Sequence, residues 1–246
     1  IYGNRDRGSD AHVTNTMWFS YPGYNETLCG FADPAIDSNK KIPNQNVTVF
    51  EWLHQKPEFR GKVAAFGGWD VFPFIFNADR CGFPVDDSLA PLTQGTLTPA
   101  ISVINRVRTE TPPRWAGCHF DSLVFIPSLE WIKANQPRLV FLCLGETDEW
   151  AHEGNYGQYL HTAHRVDAYI KELWDTCQSL PQYKDSTTFI ITTDHGRGDN
   201  SIGPKDWNNH GAKHPGSDQM WIAILGPDTP ALGERKNCEP VTQSQI

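Results

Sequence analysis

No stretch of this 246-residue sequence approaches the roughly 18 consecutive apolar residues that a helix needs to cross a bilayer, so no membrane span is expected. The opening IYGNRDRGSD holds no apolar core of the kind a secretory leader carries. Basic residues are scarce: 21 Lys and Arg against 29 Asp and Glu give a formal charge of −8, and no dense basic cluster stands ready to neutralise a run of phosphates. A nucleic acid polymer is therefore not an expected partner. The six cysteines (Cys29, Cys81, Cys118, Cys143, Cys177, Cys238) show no CxxC spacing, which removes zinc-ribbon and redox-dithiol readings. Repeats and low-complexity tracts are absent. The sequons at Asn25 and Asn46 are short enough to arise by chance. What is present is 39% hydrophobic and 20% charged residues, enough to bury a substantial core in one large domain. The sequence opens at Ile1 on what reads as a domain interior, so the compartment is not legible from this end.

Hydrophobic patterning predicts an α/β fold. Residues 138–144 (RLVFLCL), bounded by Pro137 and Gly145, read as a strand buried on both faces. From Tyr156 to Cys177 apolar residues recur at steps of three and four, the pattern of an amphipathic helix of about five to six turns. Residues 187–193 (TTFIITT) and 219–225 (QMWIAIL) read as two further strands. Upstream, 47–55 reads as a helix feeding a strand at 63–67, and 121–135 as a helix leading to the strand at 138. Residues 69–113, rich in Pro, Gly and aromatics, read as an insertion or cap.

Acidic and histidine side chains gather beside these strands. After residue 144 comes GETDEWAHEG, in which Asp148 and His152 stand one helical turn apart and can grip one cation. After residue 193 comes DHGRGDN, with Asp194 and His195 adjacent. Before the last strand, WNNHGAKHPG offers His210 and His214. Each piece alone is weak, because a loop histidine is commonly a surface or capping residue. Three such sets at strand-associated loops form a pattern, and oxygen and nitrogen donors without thiolates suit a catalytic rather than a structural metal.

With TDHG after a strand, DxxxH upstream and a later HG before a strand, the sequence from about Trp18 to Pro227 resembles the alkaline phosphatase superfamily, which includes nucleotide pyrophosphatase/phosphodiesterases, sulfatases and cofactor-independent phosphoglycerate mutases. The resemblance implies a three-layer sandwich with a central, mostly parallel sheet flanked by helices, in a single domain spanning 1–246. It assigns Asp148, His152 and His210 to one divalent metal and Asp194 and His195 to a second, with His214 as the alternative to His210. Zinc is the expected metal and manganese the alternative. SYPGYNETLCG takes the place of the phosphodiesterases' TxPNHxSxxTG, which puts Ser20 at the nucleophile position. A metal would lower the hydroxyl's pKa, and a helix N-terminus behind it would favour an anionic substrate. The other reading of Ser20 is a helix cap. Asn39 stands near where phosphodiesterases place an amide that holds a phosphoryl oxygen, and it reads equally as a turn residue.

One family element has no counterpart: the second metal's further Asp, at the end of a first strand. Asp6 and Asp10 precede Ser20 but end no apolar run, so that strand is expected upstream of Ile1. Tyr24 occupies the arginine position of the sulfatases' C/SxPxR signature, which implies an unmodified serine and favours phosphate esters. The aromatics Trp18, Phe19, Tyr21, Tyr24, Trp69, Phe72, Phe74 and Phe76 read either as stacking groups for a substrate or as core. The implied function is a two-metal hydrolase acting on a small phosphorylated substrate, with Ser20 forming a phosphoseryl intermediate. A phosphomutase, a sulfatase or a non-catalytic metal-binding relative are the alternatives, and the resemblance favours a periplasmic or secreted location.

Overall fold

A computed structural model describes every residue from Ile1 to Ile246. In chain order the elements are β1 (Ala11–His12), α1 (Ser20–Cys29), α2 (Val49–His54), β2 (Val63–Phe66), α3 (Phe72–Ile75), α4 (Ala78–Cys81), β3 (Val85–Asp86), α5 (Pro99–Glu110), α6 (Ser122–Asn135), β4 (Leu139–Leu142), α7 (Glu146–His152), α8 (Tyr156–Ser179), β5 (Phe189–Thr192), β6 (Ile222–Leu225) and β7 (Val241–Thr242). The fold is α/β with mainly parallel strand pairing: β2 with β3, β2 with β4 and β1 with β7 run parallel, and β5 with β6 runs antiparallel. The chain forms two compact units, one of Ile1–Asn39 with Asp167–Ile246 and one of Lys40–Val166.

In the Lys40–Val166 unit the strand order is β3-β2-β4. The central strand VAAF is buried along its whole length, as its unbroken apolar sequence requires. Ala64 and Phe66 pack with Leu92, Ile101, Val124 and Trp131. The expected helices at 47–55 and 121–135 are α2 and α6. Thr48 caps α2 by accepting the Glu51 amide hydrogen at 3.1 Å. The strand at 138–144 is present as β4, but its residues are half-buried rather than closed on both faces; the central position belongs to β2. The 69–113 stretch carries α3, α4, β3 and α5, and β3 extends the sheet. Phe72 and Phe76 lie in an aromatic core with Phe50, Phe83 and Phe141, so they are core groups.

The other unit is built around Ala11, Val13, Met220 and Ile222, with Trp18 and Val241 packed against them. Its N-terminal residues have no apolar run, yet they are tied in by the backbone: Tyr2 and Ile222 exchange two hydrogen bonds at 2.8 and 3.1 Å, and Val13 donates to the Asp218 carbonyl at 3.0 Å. Met220 likewise donates to the Ala11 carbonyl at 3.0 Å, so the first part of the apolar run 219–225 pairs with the N-terminal residues and β6 is confined to Ile222–Leu225. Asp10 stands just before β1 and is engaged by Arg5 and by His12 Nδ1 at 2.7 Å. Both of its carboxylate oxygens are thus engaged by neighbouring side chains.

Candidate functional site

Ser20 opens α1. A capping serine sits one position earlier and turns its oxygen onto the amides of the first turn. Here Phe19 is the N-cap, extended at φ −149° and ψ 179°, with no side-chain bond. Ser20 Oγ instead lies 3.3 Å from His195 Nε2. The amide of Tyr21 is met from outside the helix by Asn39 Oδ1 at 2.9 Å, which leaves the Asn39 Nδ2 hydrogens to donate elsewhere. Asn25 is fully buried inside α1 and bonded to the Phe31 carbonyl, so the sequon there is not an exposed acceptor. Burial also pushes the Tyr21 phenol above its usual range.

α1 approaches the loop after β5 closely. A Cβ on Gly23 would lie 2.2 Å from the Asp194 carbonyl oxygen, so only glycine permits the contact. The same carbonyl accepts from the fully buried Gln243 side chain at 2.9 Å, and the Thr193 carbonyl accepts from it at 3.1 Å. Behind the loop, the Gly196 amide donates to the Ser217 carbonyl at 2.9 Å, and a Cβ at 196 would strike the Gln219 and Gly216 carbonyls. Asp194 and His195 are thus presented by a backbone fixed on three sides.

His195 is nearly fully buried, and its Nδ1 is 2.8 Å from the Gly196 carbonyl. A carbonyl can only accept, so this contact places the hydrogen on Nδ1 and leaves the neutral ring's lone pair on Nε2. Two oxygens approach that nitrogen: Ser20 Oγ at 3.3 Å and Asp194 Oδ2 at 3.4 Å. The His210 ring stacks on His195 with centroids 3.9 Å apart, and the two imidazoles bring ring nitrogens within 4.8 Å of each other. His214 is turned to a different partner, the buried Asp206, at 2.5 Å. The loop that carries both is held by Arg197, which donates to the Trp207 and Asn208 carbonyls at 2.8 and 2.6 Å. Within this unit the structure brings Ser20, Asp194, His195 and His210 together, with Asn39 at the start of the serine's helix.

In the Lys40–Val166 unit, α7 carries Asp148 and His152 one turn apart as expected, with Oδ2 and Nε2 3.2 Å apart and both side chains more than a third exposed. Its first turn is anchored by the buried Glu146, which accepts from the Asp121 amide at 2.6 Å, from Trp150 Nε1 at 3.2 Å and from Arg165. In return the Glu146 amide donates to Asp121 Oδ1 at 3.1 Å. Sequence reasoning missed Glu146, Asp121, Gln243 and Arg197. Glu146 and Arg197 carried a signal, their places inside the GETDEWAHEG and DHGRGDN segments; Asp121 and Gln243 carried none.

These donor sets can be set beside known proteins. Residues 124–229 match the family model of the Metalloenzyme superfamily. The segment includes Asp148, His152, Asp194, His195 and His210, and it begins after Ser20 and Asn39. The chain is 35% identical to GPI ethanolamine phosphate transferase 1 of Homo sapiens over 86 residues, 34% of this chain and 8% of that protein. It is 31% identical to the 2,3-bisphosphoglycerate-independent phosphoglycerate mutase of Gracilaria tenuistipitata var. liui over 68 residues, 28% of this chain and 12% of that protein. The crystal structure of the lipoteichoic acid synthase LtaP from Listeria monocytogenes superimposes with a TM-score of 0.60 at 11% identity, covering 99% of this chain and 60% of that one. The last likeness is one of fold. The chain spans a small part of the two curated relatives and less than two thirds of the solved structure. The alkaline phosphatase-like resemblance read from the sequence is borne out by the match to the Metalloenzyme superfamily model, and the fold agrees with it.

Proposed function

We propose that this chain carries a metal-dependent site for phosphoric ester chemistry in which Ser20 is the nucleophile. The observation that carries the reading is the convergence of Ser20 Oγ and Asp194 Oδ2 on the lone-pair nitrogen of His195. In a serine–histidine–aspartate relay the acid and the serine engage opposite ring nitrogens. Here both oxygens meet the same nitrogen, and the opposite nitrogen is bonded to a backbone carbonyl. That is how a ligating imidazole is held, with its second nitrogen fixed by an outer partner. The donor set of hydroxyl, carboxylate and imidazole fits a divalent ion such as zinc or manganese.

The remaining assignment follows the sequence motifs: Asp148, His152 and His210 for one ion, Asp194 and His195 for the other. Bound divalent ions supply a lowered serine pKa and offset charge on the transferring group. Ser20 Oγ, deprotonated at the head of α1, forms the new bond to phosphorus as the ester oxygen leaves. The Ser20 amide at the head of α1 and the Asn39 Nδ2 hydrogens are donors for the phosphoryl oxygens, since the Tyr21 amide is taken by Asn39 Oδ1 and Pro22 has no amide hydrogen. Water then displaces Ser20, releasing phosphate and regenerating the hydroxyl. Transfer to an alcohol in place of water turns the same phosphoserine into a mutase or transferase intermediate. Two relatives bear such names, so the acceptor is the property on which the readings differ.

The test is turnover of p-nitrophenyl phosphate and bis-p-nitrophenyl phosphate by the intact protein before and after chelation. The expected result is loss of turnover on chelation and recovery on adding zinc or manganese. Equal rates before and after chelation overturn the reading.

A further inference from the structure

Behind the serine lies a buried acid that has no part in the site described above. Glu26, on the same helix as Ser20, is fully buried, and its oxygens are met by hydrogen-bond donors rather than by a cation. Oε1 accepts from the Thr14 amide at 2.7 Å and from Thr14 Oγ1 at 2.8 Å. Oε2 accepts from the Thr14 amide, the Asn15 amide and Asn15 Nδ2, each at 2.9 Å. With Nδ2 so engaged, Asn15 turns Oδ1 to the amides of Met17 at 3.1 Å and Trp18 at 2.9 Å. Trp18 is held at φ +55°, a left-handed conformation that a bulky side chain rarely adopts. Two residues later the chain enters α1 with Ser20.

A buried carboxylate is costly to fold unless its bonds achieve something. Here the bonds run without a gap from α1 through Asn15 to the strained turn that delivers the nucleophile. We infer that Glu26 and Asn15 are positioning residues that set the Ser20 hydroxyl against His195 by holding Trp18 in its left-handed conformation. This deepens the reading of Ser20 as nucleophile and rests on it. Neither residue touches the reacting atoms, so their loss should lower the rate of the chemical step and leave substrate binding and metal content alone.

The test uses the intact protein with E26Q, N15D and the exchanged pair N15D/E26Q. E26Q keeps size and one acceptor oxygen but turns a donor toward the Asn15 amide. N15D sets two carboxylates against each other. In the exchanged pair the side-chain bond re-forms with donor and acceptor reversed. The expected result is a fall in kcat of about tenfold in each single variant, with KM and bound metal unchanged, and partial recovery of kcat in the pair. Hydrogen exchange at the Met17 and Trp18 amides should quicken by about tenfold or more in the single variants, with circular dichroism confirming that each is folded. Unchanged kcat per folded molecule, or unchanged exchange at Met17 and Trp18, overturns the inference. A wild-type protein with no metal-dependent turnover sinks the hydrolase reading alone, and the exchange rates then still decide whether Glu26 and Asn15 hold the turn.

Discussion

Asp121 shows how far one side chain's surroundings govern its chemistry. It is fully buried at the start of α6, with Oδ1 on the Glu146 amide. Burial, reinforced by the Glu146 carboxylate, pushes its carboxyl from the usual 3.8 up to about 7. Between those values the folded chain holds a proton that the unfolded chain has released. The unfolded state therefore binds fewer protons there, and this group's contribution to stability falls as pH rises from about 4 to about 7. D121N keeps an acceptor for the Glu146 amide and cannot ionise. In thermal melts across that window, the stability of D121N relative to wild type is expected to rise with pH. Parallel curves would contradict the assignment. His195 makes the same point without titration: the Gly196 carbonyl decides which of its nitrogens can accept.

At the scale of elements, the site depends on α1 lying hard against the loop after β5. Gly23 is the contact point, and G23A would drive a methyl group into the Asp194 carbonyl. The expected cost is about 1–3 kcal/mol of stability, as for other forced insertions, together with a loss of activity larger than that cost explains, because α1 carries Ser20. Denaturant melts and kcat measured on the same preparation check it, and wild-type values for both would show that the approach is not needed. The long elements were legible because their periods were: the helix from Tyr156, the strand at 63–66 and the apolar strand after Pro137 all stand where the pattern put them. α5 was not. Its buried face includes Arg108, bonded to Asp86 in the interior, while Val103 and Val107 are exposed, so the apolar period is broken by the residues that should report it. Strands β1, β3 and β7 span two residues each, too short for an alternation to register.

Across the whole molecule, the candidate site side chains were easier to single out in the sequence than the residues that hold them. Aspartate and histidine beside strand ends announce themselves by type, and the stretch that matches the Metalloenzyme superfamily model contains Asp148, His152, Asp194, His195, His210 and His214. Glu26, Asn15, Gln243 and Arg197 acquire meaning only from tertiary contacts, eleven residues apart for Glu26–Asn15 and Arg197–Asn208 and 49 for Gln243–Asp194, which no spacing reveals. The choice between His210 and His214 was also open in the sequence. In the structure His210 lies against His195, whereas His214 faces Asp206. Covalent phosphorylation of Ser20 during turnover, as proposed above, is tested by mass spectrometry of the intact protein after acid quench with p-nitrophenyl phosphate and zinc. The expected result is one added phosphoryl group on the peptide containing Ser20, absent after chelation and absent in S20A. Turnover with Ser20 unmodified, or an S20A variant as active as wild type, would contradict it.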